Sequence, residues 1–326
     1  MKRRSRTDAL RNLVRRIVPQ PPDEGLARLA TLEHAVHTLR LHVGGLHARQ
    51  LRASLPATLR EAEFQVFSQF GEDGILQYLL AKVGSVPEVF VEFGVGNYTE
   101  ANTLFLLLHD NWRGLILDGS QDAIASVRGR EWCWRHDLRA ESAFIDRENI
   151  DALITSNGVA GEIGLLSVDI DGNDYWVWER VAGVHPVIVV VEYNSLFGPD
   201  RAVSVPYDPS FQRTRAHHSN LYWGASLGAL CHLARMKGYA FVGSNRAGNN
   251  AFFVRADRRG DLPALSARDG WVASRFRESR DRAGQLTFLS GDERLRPIAG
   301  LPLVDVETGA TLTVGDLAAT SLPGVR

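Results

Sequence analysis

The chain has 326 residues, of which 44% are hydrophobic, and a formal net charge of −1. This size and apolar content allow one substantial core with an appendage, and the balanced charge argues against a general nucleic-acid binder. Two cysteines, Cys133 and Cys231, are too few for a disulfide framework or a cysteine metal cluster. We interpret them as small apolar side chains in a reducing cytosol, so the composition predicts a cytoplasmic protein.

Residues 1–22 are predicted to form a basic tail. Residues 1–60 carry twelve Lys or Arg against four Asp or Glu, and no apolar core follows the first basic residues as a secretory signal requires. The tail has two alternative roles, peripheral contact with the anionic inner membrane surface or solvation as a disordered segment. The first role would use the apolar residues that alternate with its arginines, Leu10, Leu13, Val14, Ile17 and Val18.

Residues 23–60 are predicted to form a helical extension. Six apolar residues recur at alternating spacings of three and four, which is typical of a helix that pairs with another helix, in the same chain or in a partner subunit. They are Leu29, Leu32, Val36, Leu39, Val43 and Leu46. Gly44 and Gly45 interrupt this pattern, so we expect a short oligomerisation or docking helix within residues 26–52 rather than a long coiled coil. A homo-oligomer is the corresponding partner prediction.

Residues 61–260 alternate between predicted strands and helices. Strands are expected at 89–93, 115–117, 164–168 and 187–191, and they are continuous apolar runs, as in a parallel sheet buried on both faces. Residues 132–144 are ambiguous, a loop with a short third strand. A turn rich in Asn and Gly at 245–250 joins two final strands into a hairpin, which makes the last strand antiparallel. The pattern predicts an α/β, Rossmann-like sheet of seven strands, with residues 261–326 as a C-terminal extension packed on the core.

The most informative motif is the first strand of this core, which runs into two spaced glycines, Gly94 and Gly96. Glycine lets backbone N–H groups approach a ligand that a side chain would block. Glu92, in the same strand, can accept hydrogen bonds from a cationic or hydroxylated ligand. The second strand ends in Asp118, where a doubly wound sheet places the acid that binds a ribose. Together these residues predict a nucleotide-like cofactor.

Six segments within residues 64–260 carry a resemblance to a known family. They are EFGVG at 92–96, DGS at 118–120, SVDIDGND at 167–174, VEYN at 191–194, YWGASL at 222–227 and NNAFF at 249–253. In this order they resemble the S-adenosylmethionine-dependent methyltransferases of the FkbM-like group, whose seven-stranded sheet ends in an antiparallel strand. One departure is that this group shows Asp-x-Glu-Gly after the fourth strand, whereas this chain has Asp169-Ile-Asp171-Gly172.

The resemblance implies S-adenosylmethionine as the cofactor and gives positions for it. Gly94 and Gly96 would pass under its methionine part, and Asp118 would take the ribose hydroxyls with Ser120 nearby.

The other implied cofactor residues are Glu92, Asn102, Phe144 and Asp169. Glu92 would hold the amino group or an adjacent backbone, Asn102 would reach the carboxylate, and Phe144 would lie beside the adenine.

An acidic cluster follows the fourth and fifth predicted strands. Asp169, Asp171 and Glu192 would repel one another unless a cation, a proton or a substrate hydroxyl lies among them. Oxygen ligands favour Mg²⁺, so one hypothesis is that these three residues bind a sugar diol directly or through a divalent cation. The alternative is a set of loop acids and helix caps, in which Asp171 or Asn173 caps the helix that starts at Tyr175.

Methyl transfer to an alcohol requires in-line placement of the acceptor oxygen and a base that removes its proton. The candidate bases are Asp171 and the adjacent His217 and His218, in an irregular loop at 194–223 that would lie over the crevice. Together with the resemblance, this implies an O-methyltransferase that acts on a hydroxyl of a carbohydrate or glycoconjugate.

Three other functions compete with this one. Asp169-Ile-Asp171 also mimics the metal-binding Asp-x-Asp of a nucleotide-sugar glycosyltransferase. An NAD-dependent oxidoreductase is disfavoured because Thr99 takes the place of the third glycine of Gly-x-Gly-x-x-Gly. The third is a non-catalytic scaffold that retains the fold and associates through its N-terminal helix.

Overall fold

The computed structural model describes residues 24–318, so the predicted basic tail and its apolar residues lie outside the described part of the chain. Contacts divide the chain into two units, one up to Val43 and one from Gly44 onward. Helix α1 (Glu24–Ala53) supplies all of the described part of the first unit and continues into the second. No helix within residues 24–318 combines the length and apolar character that a bilayer span requires.

Helix α1 contains the predicted helix at 26–52 and is continuous through Gly44 and Gly45, the residues that interrupt its apolar pattern. Both glycines are buried in the second unit. A Cβ added to Gly44 would lie 2.5 Å from the Val66 side chain, and one added to Gly45 would lie 2.8 Å from His109. The glycines therefore allow the close approach of a helix to the core, at a small cost in helix propensity.

The described residues contain ten strands, which form a seven-stranded and a three-stranded sheet. In chain order they are β1 (Val89–Phe93), β2 (Arg113–Asp118), β3 (Leu138–Ser142), β4 (Gly161–Val168), β5 (Val184–Glu192), β6 (Val203–Ser204), β7 (Tyr239–Ser244), β8 (Asn250–Arg255), β9 (Pro302–Asp305) and β10 (Thr311–Thr313).

The large sheet has the strand order β3-β2-β1-β4-β5-β8-β7. The first five strands pair in parallel, and β8 is antiparallel to both of its neighbours, β5 and β7. All five residues of β1 are buried, as expected for a strand covered on both faces. This confirms the predicted Rossmann-like sheet of seven strands with an antiparallel last strand.

Helices flank the sheet and connect its strands. After α1 they are α2 (Glu72–Val83), α3 (Leu104–Leu108), α4 (Gln121–Arg128), α5 (Trp132–Arg135), α6 (Ile150–Ser156), α7 (Asp174–Arg180), α8 (Arg213–Ala216), α9 (Leu227–Met236), α10 (Ala267–Gly270) and α11 (Gly315–Ala318). The ambiguous segment at 132–144 contains the short helix α5 as well as the expected third strand, β3. After α9, Gly238 has φ +81°, the left-handed conformation that is common where a helix ends at a glycine.

The small sheet, with the order β10-β9-β6, was not predicted. Its strand β9 pairs antiparallel with β6, so residues near the C-terminus bond to the long loop after β5. β6 has only two residues, too few to show an alternating pattern in the sequence. The C-terminal segment therefore shares a sheet with the loop that follows β5.

Two buried acids fix the loop that precedes α2. The Asp73 carboxylate accepts hydrogen bonds from the backbone N–H groups of residues 66–68 and from the Ser68 hydroxyl. Burial raises the pKa of Asp73 to about 6. Glu72 accepts from the side-chain amides of Asn245 and Asn250, at 2.6 and 2.9 Å. The loop is thus tied to the turn between β7 and β8, far along the chain.

Candidate functional site

A cavity of about 460 Å³ lies at the carboxyl ends of β1, β2 and β4. This volume is within the range of about 300–1,000 Å³ that is typical of small-molecule sites. Its lining consists of Gly94, Gly96, Asp118, Gly119, Phe144, Ile145, Asp169, Ile170, Asp171, Asn173 and residues 211–214. In an open α/β sheet this edge forms the ligand crevice where the strand order reverses, here between β1 and β4.

The two positions after β1 that carry glycine, Gly94 and Gly96, do so for different structural reasons. Gly94 has φ +72°, and a Cβ there would lie 1.5 Å from the carbonyl oxygen of Asp169. Gly96 has φ +52°, and no atom of the described residues would lie within 4 Å of its Cβ. Gly94 is therefore required by the contact between two strand ends, whereas Gly96 leaves bare backbone along the cavity.

Asp118 connects the glycine loop to the end of β2. Its Oδ2 accepts a hydrogen bond from the Gly96 N–H at 2.7 Å, and its Oδ1 accepts from the Ser120 N–H at 2.7 Å. The Ser120 hydroxyl accepts from the Ala123 N–H and caps α4. The structure thus places Asp118 on the cavity and gives Ser120 a capping role outside its lining.

Phe144 is an aromatic side chain on the cavity wall, 47% exposed. A Cβ added to Gly119 would lie 3.6 Å from its ring, so the ring borders the loop that follows Asp118. Sequence reasoning predicted this residue, and the structure brings it to the cavity together with the glycines and Asp118.

Glu92 and Asn102, predicted as cofactor residues, are buried supports that do not line the cavity. The Glu92 carboxylate accepts hydrogen bonds from the backbone N–H groups of Asn102 and Thr103 and from the Thr103 hydroxyl. The Asn102 side chain donates to the Ser167 hydroxyl at 3.1 Å. Burial raises the pKa of Glu92 to about 7. These bonds hold the start of α3 against β1 and β4.

Asp169 and Glu192 are two neighbouring acids beside the cavity, of which Asp169 is half-buried and Glu192 is buried. Burial, followed by repulsion from neighbouring carboxylates, raises the pKa of both residues well above the ordinary range. The ionised form of each acid makes ionisation of the other more costly, because two close carboxylates repel one another. Asp169 lines the cavity, and Glu192 lies behind it.

Asp171 lies on the cavity, and Arg213 neutralises it. An Arg213 Nη1 donates to Asp171 Oδ1 at 2.8 Å, and the Asp171 side chain is 57% exposed. Among residues 24–318, no group of three His, Cys, Asp or Glu side chains is arranged to hold a metal ion. The proposed magnesium ligands Asp169, Asp171 and Glu192 therefore gain no support, and at Asp171 an arginine supplies the compensation that a cation was expected to provide.

The structure does not bring His217 and His218, which were predicted as candidate bases, to the cavity. Neither residue is among the lining residues of the described chain, and the two rings contact each other, with centroids 4.0 Å apart. The His217 Nδ1 is hydrogen-bonded to the Ser219 hydroxyl at 2.7 Å. The histidines follow α8, whose first residues face the cavity while the loop after it turns away.

Arg213 is the main site residue that sequence reasoning missed. Its guanidinium lies 4.7 Å from the centroid of the Trp223 ring, and its Nε donates to the Asn220 carbonyl. No motif surrounds Arg213 in the sequence. The only signal was its position in the irregular loop that was expected to lie over the crevice.

Within the described chain no side chain caps the start of α7, and the acid that binds backbone in this segment is Asp174, which holds the turn before the helix. The Asp174 carboxylate accepts from the backbone N–H groups of Ile170 and Gly172, both at 2.8 Å. Asn173 precedes α7, but its side chain donates to the Asp208 carbonyl. Asp171 has φ +57°, so Asp174 holds a sharp turn that directs Asp171 to the cavity.

No family model matches this chain, and no curated protein matches it. Solved structures show a distant likeness. The N-terminal domain of EvdMO1 with SAH bound shares 12% identity, covering 64% of this chain and 93% of that domain with a TM-score of 0.39. An S-adenosylmethionine-dependent methyltransferase from Clostridium acetobutylicum shares 9% identity (65% and 97% covered, TM-score 0.38). An O-methyltransferase from Bacillus cereus in complex with SAH shares 14% identity (73% and 91% covered, TM-score 0.37).

We expect Gly94→Ala and Gly96→Ala to differ sharply in stability. A methyl group at residue 94 meets backbone at 1.5 Å, so the ends of β1 and β4 must separate, whereas at residue 96 only the positive φ is unfavourable. Gly96→Ala should cost about 1–2 kcal/mol, and Gly94→Ala should cost at least about 3 kcal/mol. Urea unfolding of both variants measures this, and equal losses would contradict the contact.

Glu92→Gln is expected to flatten the pH dependence of stability. Because the folded-state pKa is about 7 rather than 4.5, the folded protein holds a proton that the unfolded chain releases. The stability that Glu92 contributes is thus present below about pH 4.5 and is lost as the pH rises through about 7, a change of about 3 kcal/mol.

Urea unfolding of the wild type and of Glu92→Gln at about pH 5 and about pH 7.5 tests the direction in which the free energy of unfolding changes with pH. The wild type should lose more stability between the two conditions than the variant does. Glu131→Gln, at an exposed site, is the control and should behave as the wild type. A variant with an unchanged pH slope would refute the raised pKa of Glu92.

Proposed function

We propose that this chain is an S-adenosylmethionine-dependent methyltransferase of the FkbM-like group that methylates a hydroxyl of a carbohydrate or glycoconjugate. One observation carries the proposal. The cavity lies where the strand order reverses, and its floor is the bare Gly94–Gly96 loop, hydrogen-bonded to the Asp118 carboxylate. This arrangement suits a ligand with a ribose and a small zwitterionic part.

The residues on the cavity fit this cofactor in three respects. Asp118 has a carboxylate with further lone pairs for ribose hydroxyls, since each of its oxygens accepts only one backbone N–H. Phe144 offers an aromatic face for the adenine. Gly96 gives backbone that no Cβ covers. Glu92 and Asn102 support this site from behind, because their polar groups are used within the protein.

When bound, S-adenosylmethionine supplies an electrophilic methyl group on a sulfonium. The chain then has to orient the acceptor hydroxyl, exclude water and take up its proton. Asp171 is suited to take up the proton, since its side chain is exposed on the cavity and is oriented by Arg213.

The composition of the cavity wall supports a hydroxyl-rich acceptor. Gln212, Arg213 and Thr214 line the side that is contributed by the loop after β5, and all three carry hydrogen-bond donors. Phe211 lines the same side and gives an apolar face on which a sugar ring can pack. Donors interleaved with an aromatic ring favour a carbohydrate over an apolar acceptor.

Calorimetric titration with S-adenosylhomocysteine, UDP and NAD tests the cofactor. We expect binding of S-adenosylhomocysteine alone, and Asp118→Ala should weaken it about 10- to 100-fold, the loss of hydrogen bonds to a charged group. Asp122→Ala, in the first turn of α4 next to the cavity loop, is the matched control and should bind as the wild type.

Two results would contradict the cofactor assignment. Binding of UDP in the presence of Mg²⁺, without binding of S-adenosylhomocysteine, would favour the glycosyltransferase. Binding of none of the three ligands would favour the non-catalytic scaffold.

Asp171→Asn is expected to lower turnover by about 100-fold or more while S-adenosylhomocysteine binds with unchanged affinity, because the variant lacks the proton acceptor. Radiolabelled methyl transfer to a panel of hydroxylated saccharides provides the assay. The double variant His217→Gln/His218→Gln should keep its turnover, since neither ring lines the cavity. Full turnover in Asp171→Asn would discard this residue as the base.

A further inference from the structure

Helix α1 carries an apolar stripe that the described chain leaves exposed. Its members are Leu29, Leu32, Val36, Leu39, Val43 and Leu46, and each is 43–63% exposed. The part of α1 that belongs to the core unit buries a different face, with Gly44, Gly45, Ala48 and Leu51. The stripe is therefore separate from the face that packs on the core.

The spacing of the stripe defines a heptad register. Leu29, Val36 and Val43 occupy a positions, and the three leucines at residues 32, 39 and 46 occupy d positions. Two of the three a residues, Val36 and Val43, are β-branched, and β-branched residues at a combined with leucine at d favour a parallel, two-stranded coiled coil over trimers and tetramers. The next a and d residues, Gln50 and Ala53, are polar and small, so the apolar seam ends near the last leucine.

We propose that α1 of two copies of this chain pairs along this stripe as a parallel, two-stranded coiled coil. The helix needs a partner for its apolar residues, because helices in water draw most of their stability from packing of an apolar face rather than from propensity. A second copy fits because the stripe is self-complementary when two identical heptads align in register.

The charges beside the stripe agree with the parallel arrangement. Arg28 occupies a g position and Glu33 the following e position. In a parallel pair these positions face each other across the seam, so Arg28 of each copy lies opposite Glu33 of the other. The seam has only about two and a half heptads, which is short for a coiled coil. The dimer should consequently dissociate on dilution.

Sedimentation of the full-length protein over a wide concentration range tests the proposal. We expect a monomer–dimer equilibrium. Leu32→Glu/Leu39→Glu should shift it to the monomer at all concentrations, because it buries four like charges in the seam. The matched control, Thr31→Glu/His34→Glu, places the same two charges at c and f positions outside the seam and should leave the dimer intact. Circular dichroism of each variant verifies that the core remains folded.

Oxidative cross-linking tests the parallel orientation. In a Cys133→Ser/Cys231→Ser background, Leu39→Cys should form a covalent dimer, since d residues meet their own counterparts in a parallel pair. His34→Cys, on the opposite side of the helix, should give no covalent dimer on a non-reducing gel after the same oxidation. Absence of the covalent dimer in Leu39→Cys would refute the parallel pairing.

Other outcomes overturn the proposal by identifying a different occupant of the stripe. A wild type that is monomeric at every concentration excludes the second copy. If deletion of residues 1–22 then produces a dimer, the N-terminal segment covers the stripe. A trimer or tetramer refutes the two-stranded assembly, and a dimer that survives Leu32→Glu/Leu39→Glu shows an interface elsewhere on the chain.

Discussion

The contact between the ends of β1 and β4 is the constraint on which the site depends. At Gly94 the backbone passes so near the Asp169 carbonyl that even a methyl group has no room. Because these strand ends converge, the glycine loop, the end of β2 and the acidic segment after β4 border one cavity. The hydrogen bond between Asp118 and Gly96 then fixes the loop in that position. A small backbone contact thus organises residues that are far apart in the sequence.

The acids around this cavity are compensated by different means. Asp171 is paired with Arg213, and Glu92 is saturated by backbone and hydroxyl donors. At Asp169 and Glu192, burial and repulsion between neighbouring carboxylates raise the pKa well above its ordinary range, which favours the neutral form. Buried carboxyl groups need such partners, because unpaired charge is costly away from water. The buried acids therefore stabilise the fold around the cavity, whereas the side chain of Asp171 is exposed on the cavity.

The sequence predicted well those features that depend on local pattern. Buried parallel strands appear as apolar runs, so the core strands were placed to within a few residues, and the glycines, Asp118 and Phe144 were found at the cavity. The contacts of Glu92 and Asn102 could not be decided from the sequence, because a polar residue beside a glycine motif looks the same whether it bonds a ligand or the backbone. Arg213 and the Asp169–Glu192 pair arise from contacts between distant segments. The packing role of Gly44 and Gly45 could not be predicted, because their close approach to Val66 and His109 leaves no mark in the sequence.

The position of β8 has a consequence for biosynthesis. This strand is inserted between β5 and β7, yet it is the last strand of the large sheet to leave the ribosome. Until residue 255 has emerged, the nascent chain presents β5 as an open edge, and Glu72 lacks its amide partners from Asn245 and Asn250. Open apolar edges invite association with other chains. Almost the whole core must therefore leave the ribosomal tunnel before the large sheet can close, and until then the edge of β5 is open to association with other chains.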